Sequence, residues 1–276
     1  MSYEDVFKEE LEFLDRALHE FLPSAEIYPQ SLHQAMRYAV LGGGKRFRPV
    51  MVLAACETLG GTRQQAVLPA MALEFIHCYS LVQDDLPALD NDDLRRGQPT
   101  CHRKYGEATA LLASDGLLTL AFELLARVKP AERAVQLVAE ISTAAGTCGM
   151  IGGQSADLEA VSKAPDSALL DFVNIHKTGK LIKAAAVSGA LAAGADAESL
   201  RRIERYGESV GLAFQCVDDL QDGDGYLRYM TSSELNEKTR TLLKNARREV
   251  EVFGAKAAKL TFLADFLEQR IPVKTS

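Results

Sequence analysis

Apolar side chains recur at three- and four-residue spacing along nearly the whole chain. In "VFKEELEFLDRALHEFL" the positions Val6, Phe7, Leu11, Leu14, Leu18 and Leu22 share one helical face. The same period predicts helices over about 31–41, 47–59, 68–86, 107–127, 131–149, 167–193, 197–220, 234–252 and 257–270. Alternating, strand-like patterns are scarce. Short segments rich in turn residues, "GGTR", "KPAE", "APDS" and "AGADAE", separate the helices. No fixed repeat and no linker divides the chain, so residues 1–276 read as a single all-α domain of about ten helices. The stretch "AMALEFIHCYSLVQ" is apolar around much of its circumference, which predicts a helix surrounded by others.

Composition narrows the class. A chain of 276 residues, a quarter of them charged, is long enough to bury a substantial core and reads as globular and soluble. Its acidic, amphipathic N-terminus lacks the basic start and short apolar centre of a secretion signal. No run approaches the roughly 20 apolar residues of a membrane span, so none is expected. The five cysteines are scattered, with no CxxC, which points to a reducing, cytoplasmic compartment and away from zinc or disulfides. Net charge is −7, from 38 acidic and 31 basic residues. Nine of the acids lie in two short stretches; the other 29 are outnumbered by the 31 basic residues. The acidity is therefore local. No basic stripe is present, and no nucleic-acid partner is expected.

The first acidic stretch is "DDLPALDNDDLRRG", from Asp84 to Gly97, and the second is "FQCVDDLQDGDGY", from Phe214 to Tyr226. Asp218 and Asp222 are four apart on one helical pattern, so their side chains are neighbours about 5–6 Å apart at Cβ. Like charges there repel unless a cation lies between them. Oxygen-only ligands suit Mg²⁺, which shares its shell with substrate phosphates. In the first stretch Asp90 lies six residues after Asp84, on the wrong face of an unbroken helix; a bulge at Pro87 would bring it round. Arg95 and Arg96 follow with forked donors suited to phosphate oxygens. Alone, either stretch reads equally as a solvated helix end or turn; two of them, each after an apolar helix, weigh against that. "DGDGYLRYMTSS" is not an EF-hand loop, since no acid falls at its twelfth place.

"GGGKRFRP" places Lys45, Arg46 and Arg48 directly after three glycines, whose backbone N–H groups can approach an anion. It is not a Walker A loop, because Arg46 follows Lys45. A helix C-cap with flanking solvated cations is the plainer alternative. His77, two turns before Asp84, reads by itself as a packed core residue.

Taken together, "GGGKRFRP", "FIHCYSLVQDDLPALDNDDLRRGQPTCHRKYGEATALLASDGLL", "GGQSADL", "IHKTGKLI" and "FQCVDDLQD" come in the order seen in trans-prenyltransferases, the polyprenyl synthetase family. They resemble bacterial farnesyl diphosphate synthases in particular, over about residues 30–222. The resemblance implies an all-helical isoprenoid synthase fold around a central cavity, and usually a homodimer. It implies Mg²⁺-dependent condensation of isopentenyl diphosphate with dimethylallyl or geranyl diphosphate, with about three Mg²⁺ ions when substrate is bound. By this likeness Asp84, Asp90 and Asp218 would ligate Mg²⁺, with Asp85, Asp219 and Asp222 as ligands or behind them. Lys45, Arg48, His77 and Arg96 would hold isopentenyl diphosphate, and Arg95 and Lys177 the allylic diphosphate. Thr178 and Gln215 would line the cation side. Tyr79, about 7 Å down the helix from Asp84 at 1.5 Å per residue, and Ser80 beside it would limit product length.

One region departs from the family pattern. After "DDLQD" the family carries a longer segment with a Gly-Lys pair and a "KxTYP"-like stretch. Here "GDGYLRYMTSSELNEKTRTLL" passes almost directly into a helical pattern, shorter by about twenty residues. Arg228 and Lys238 are candidate substitutes for the lost lysine, and Val217 stands where a polar residue is common. A catalytically weak subunit that pairs with an active partner is the alternative this departure supports. A terpene cyclase also uses acidic clusters and Mg²⁺, but has no need for a second diphosphate site at Lys45, Arg48 and His77.

Overall fold

The computed structural model describes residues 2–162 and 167–272, with residues 160–162 and 167 described as backbone only. The helices are α1 Tyr3–Val6, α2 Lys8–Phe21, α3 Gln30–Leu41, α4 Phe47–Thr58, α5 Arg63–Asp84, α6 Cys101–Tyr105, α7 Glu107–Ala126, α8 Ala131–Ala145, α9 Met150–Ser162, α10 Ser167–Val173, α11 Lys180–Ala193, α12 Ala197–Asp222, α13 Ser232–Val250 and α14 Ala258–Gln269. A π-helical turn, Asn174–Gly179, joins α10 to α11, and 3₁₀ turns occupy Gly225–Arg228 and Glu251–Ala257. Strands β1 Leu94–Arg95 and β2 Gln98–Pro99 form one antiparallel hairpin, with Leu94 opposite Pro99 and Arg95 opposite Gln98.

The all-α expectation holds, with local differences. The period is silent over α9, where "GGQSADL" mixes glycine with polar residues, yet the segment is helical. The helix expected over 167–193 is broken by the π turn. The loop expected at "APDS", residues 164–167, lies outside the described residues, except for the backbone of residue 167. Three segments are long and apolar enough to cross a membrane by length and composition: Arg63–Asp84, Glu107–Ala126 and Ala131–Glu159, the last joining α8 and α9. This corrects the expectation that no such run exists. Isolated polar residues such as Glu74 and Asp115 interrupt the apolar letters, but they leave 18-residue windows with no more than two charges. In α5, 67% of that window is buried against the rest of the protein.

The chain forms two compact units, the first from Met1–Val50 with Val67–Ala134 and the second from Met51–Ala66 with Val135–Ser276. In the first, Phe7, Leu14 and Leu18 are fully buried, and α3 packs on α7, with Met36 against Gly116. In the second, α11 is buried on nearly every face, and α12 packs along both α11 and α13. The Tyr206 hydroxyl donates to the Leu260 carbonyl at 2.7 Å, fixing α12 to α14. Asp196 caps α12 by accepting from the Glu198 and Ser199 amides, each at 2.9 Å. Gly223, in the left-handed region, ends α12, and a Thr231–Glu234 capping box starts α13. These local signals set the length and ends of the helix that carries the second acidic stretch.

Candidate active site

In the first unit the apolar helix α5 stops at Asp84. Pro87 therefore lies in the turn that follows, and the bulge within a helix that the spacing suggested is not formed. The chain nevertheless returns: the Asp90 amide donates to the Asp84 carbonyl at 2.9 Å, and the Asn91 amide to Leu86 at 3.2 Å. Asp84 is half-buried, Asp85 is 3% exposed and Asp90 is exposed.

The hairpin then reverses the chain through Arg96 and Gly97, both at positive φ, as a two-residue type I′ connection requires. This aims the two arginines at different targets. Arg95 grips Asp85, with Nε 2.7 and 2.9 Å from the two carboxylate oxygens and Nη2 2.7 Å from Oδ1. The exposed carboxylate of Asp92 is 3.9 Å away. Arg96 donates from Nη1 to the Gly43 carbonyl. Its guanidinium packs so closely on the loop that a Cβ on Gly44 would sit 2.9 Å from its central carbon. A small cleft beside this junction, with about 40 Å³ of water-sized space, is lined by Tyr38, Gly42, Cys78, Asp85, Arg95 and Arg96 among others.

The three cations of "GGGKRFRP" separate. Arg46 turns inward, donating to Glu74 Oε1 at 2.5 Å and to the Val40 carbonyl at 2.7 Å. Both members of this pair are buried, so Arg46 fixes the loop to α5. Lys45 is exposed, and Arg48 is half-buried in the first turn of α4. His77 is half-buried on α5. Burial, then the positive charges of Arg48, Arg96, Arg46 and Arg95, hold its imidazole well below the ordinary histidine range, so it is neutral at pH 7. The charges of four arginines thus act on one neutral ring, and two of these arginines, Arg46 and Arg95, are already paired with Glu74 and Asp85. Two residues on, Tyr79 is 2% exposed, and its hydroxyl has no hydrogen-bond partner among the described residues. Burial, followed by the charge of Asp84, pushes that phenol up to about 12. The Ser80 hydroxyl donates back to the His77 carbonyl at 2.8 Å.

In the second unit the end of α12 carries Gln215, Asp218, Asp219 and Asp222. Asp218 is half-buried, with Arg270 Nη2 at 3.9 Å, and Asp222 is exposed. Asp219 is 6% exposed. Its two oxygens accept from Gln215 Nε2 at 2.8 Å and from the Tyr226 amide at 2.9 Å. Burial raises its carboxyl above the usual range despite these donors. Lys177 and Thr178 lie in the π turn, both half-buried. Lys177 Nζ donates to Asp157 at 2.8 Å. Gly153 lets α9 touch this turn: a Cβ there would lie 2.2 Å from the Lys177 amide nitrogen.

The first unit therefore brings together Asp84, Asp85, Asp90 and Arg95, and separately His77 with Arg48 and Arg96. The second brings together Gln215 and Asp219. Among the described residues no three His, Cys, Asp or Glu side chains are assembled as a ready metal site. Sequence reasoning missed Glu74, Asp157, Asp171 and Tyr226. Glu74 had a signal, as a lone acid inside an apolar helix needs a buried partner. Asp157 sits within "GGQSADL", but only the fold shows that it faces Lys177.

The polyprenyl synthetase family model matches residues 29–231. A farnesyl diphosphate synthase from Geobacillus stearothermophilus is 41% identical over 82% of this chain and 77% of its own length. A geranylgeranyl diphosphate synthase from Cyanophora paradoxa is 39% identical over 95% of this chain and 94% of its own. That alignment runs to 286 positions, more than the 276 residues here, so the relative holds residues this chain lacks. The solved structure of an FPP/GFPP synthase from Zymomonas mobilis superposes with a TM-score of 0.91 at 35% identity, covering 96% of this chain and 98% of that one. On sequence and fold alike, the chain belongs to the polyprenyl synthetase family.

Proposed function

We propose that this short-chain trans-prenyl diphosphate synthase makes farnesyl diphosphate, condensing isopentenyl diphosphate with dimethylallyl and then geranyl diphosphate, as a cytoplasmic homodimer using Mg²⁺. The observation that carries the reading is the first unit's arrangement: an acid-rich helix end clamped by Arg95, with Arg96 packed on the glycine loop that carries Lys45 and Arg48.

The donor set fits Mg²⁺. Asp84, Asp90, Asp218 and Asp222 offer only oxygen, and a cation that takes one or two carboxylates together with substrate phosphates and water needs no assembled protein cage. Bound there, Mg²⁺ would stabilise the charge that develops on a departing diphosphate. The chain's own groups do the rest. Lys45, Arg48 and Arg96 neutralise the diphosphate of isopentenyl diphosphate, and neutral His77 gives it a hydrogen bond without adding charge. Arg95, already oriented by Asp85, and Lys177, released from Asp157, bind the allylic diphosphate. Breaking the allylic C–O bond leaves the electron pair on that diphosphate and a cation on the hydrocarbon. Thr178 and Gln215 present polar atoms to the cation, and surrounding apolar side chains exclude the water that would quench it. The π-electrons of the isopentenyl double bond form the new C–C bond. The departed diphosphate takes the proton lost at the end.

Tyr79 limits the product. It is buried, its hydroxyl is unpartnered among the described residues, and it lies five residues before Asp84 on α5, so its ring serves as a wall. The homodimer is supported by Leu111 and Leu112 of α7, which are 45% and 58% exposed. The compartment is supported by five free cysteines, four of them buried.

Incubation with Mg²⁺, isopentenyl diphosphate and geranyl diphosphate, followed by chromatography of the products, tests the reading. A C15 diphosphate is expected, and Tyr79→Ala lengthens it. A C20 product from the unmodified chain would favour the geranylgeranyl reading, which the name of the Cyanophora relative suggests. A cyclic hydrocarbon would favour a cyclase, and no turnover a weak partner subunit.

A further inference from the structure

The turn that closes the second acidic stretch is built around one residue the proposed reaction does not use. Tyr226 is 2% exposed and forms a small apolar cluster with Cys216 and Leu235, flanked by Leu170, Leu212 and Met230. Its backbone amide donates to Asp219 at 2.9 Å, and its hydroxyl to Asp171 at 2.5 Å. Lys238 Nζ lies 3.9 Å from the ring centroid and 3.7 Å from Asp171. One side chain and its amide thus tie the end of α12 to α10 and α13. The turn is also tight. Gly225 has φ +60°, and a Cβ there would lie 2.3 Å from the Asp219 carboxyl carbon.

This arrangement uses both oxygens of Asp219 within the protein. It leaves Asp218 before it and Asp222 after it as the acids on the more open side of the same helical turn. Helix ends fray, and on its other side the last turn of α12 is tied to Arg270, through two hydrogen bonds of Gln221 at 3.0 and 2.7 Å and the 3.9 Å approach of Arg270 to Asp218. We propose that Tyr226 is a positioning residue: through Asp219 and Asp171 it locks the last turn of α12, so that Asp218 and Asp222 are held ready for a metal-bound diphosphate. Groups that orient metal ligands commonly tune affinity, and Tyr226 does so through the helical turn that carries the ligands, without touching either one. The inference rests on the reading above that these acids hold Mg²⁺.

The test compares the full chain with its Tyr226→Phe and Tyr226→Ala variants. Calorimetry measures inorganic pyrophosphate binding in the presence of Mg²⁺, product formation is followed against Mg²⁺ concentration, and melting temperature and amide exchange over 218–228 are recorded. Tyr226→Ala is expected to weaken Mg²⁺-dependent pyrophosphate binding about tenfold. Tyr226→Phe keeps the ring and the amide bond, so its loss is about threefold or less. The rate at saturating Mg²⁺ stays within about twofold for both. Exchange over the turn quickens in Tyr226→Ala before melting temperature falls. Unchanged pyrophosphate affinity in Tyr226→Ala would overturn the proposal. So would a fall in rate with no change in Mg²⁺ dependence, or equal losses in both variants that track melting. If the unmodified chain binds pyrophosphate with Mg²⁺ but forms no product, the proposed reaction fails while the positioning role is still decided by the binding data. If it binds none, both fail.

Discussion

The ends of α5 and α12 solve one problem in two ways. Each closes its helix, a largely buried one in α5 and an amphipathic one in α12, with adjacent aspartates, and in each pair the second acid turns inward: Asp85 is 3% exposed and Asp219 6%. What meets that buried acid differs. At α5 the chain makes a long excursion and returns a guanidinium, so the charge of Asp85 is matched by Arg95 with three short contacts. At α12 the chain turns at once, and Asp219 receives two neutral donors, a side-chain amide and a backbone amide. The electrostatics follow. Arg95 is held above its usual range, because Asp85 and its acidic neighbours outweigh the cost of burial. Asp219, with no cation against it among the described residues, is pushed up by burial. The inner acid of such a pair secures the chain that follows. The outer acids, Asp84 and Asp90 at one end and Asp218 and Asp222 at the other, keep the more open positions.

If this contrast is right, breaking the charged clamp costs most. Arg95→Ala leaves Asp85 buried without its cation. A fully buried pair loses about 3–5 kcal/mol on such a cut, and since Arg95 is one-third exposed we expect about 2–3 kcal/mol in denaturant unfolding. Product formation is expected to fall by about a hundredfold or more, because the same group holds substrate. Arg95→Lys keeps the charge but not the fork, and is expected to recover stability more than rate. An Arg95→Ala chain as stable as the original would show that the pair is incidental. The matching cut at the neutral end is Gly225→Ala, which forces a left-handed Ala and drives its Cβ into the Asp219 carboxyl. There we expect a loss of about 1–2 kcal/mol, smaller because no buried charge is stranded. A larger loss than that of Arg95→Ala would reverse the ranking.

The two ends also differed in how far they could be read from the letters. Both acidic stretches and the periodic helices were legible, because each rests on local spacing; the helix expected over 197–220 runs on to Asp222 before Gly223 stops it. The hairpin was not. Its type I′ turn is made by Arg96 and Gly97, and an arginine at positive φ gives no turn signal. That unread turn sends Arg95 and Arg96 in different directions. The pattern placed three cations together at 45–48, but only tertiary packing against Glu74 makes Arg46 part of the scaffold. The role of Tyr226 was invisible for the same reason: its partners Asp171, Asp219 and Lys238 are separated along the chain and meet only in the fold.

The smallest effect is a slope, and it sharpens the contrast from the cationic side. His77 has its pKa lowered by burial and by four arginines, so the folded chain resists protonating it. The unfolded chain does not, and takes up a proton as pH falls through about 6.5. Between that value and the lower folded one, the unfolded state binds more protons, and stability falls as pH falls. The stabilising contribution is complete above about pH 6.5 and is lost progressively below it, at no more than about 1.4 kcal/mol per pH unit for one proton. Replacing the ring by an uncharged side chain, His77→Gln, removes this component. Denaturant midpoints measured from pH 7 down to pH 5 should therefore decline less steeply in His77→Gln than in the unmodified chain. Parallel declines would mean that His77 gains its proton as easily folded as unfolded. That would mean that neither the burial of the ring nor the charges of the nearby arginines hold it neutral in the folded chain.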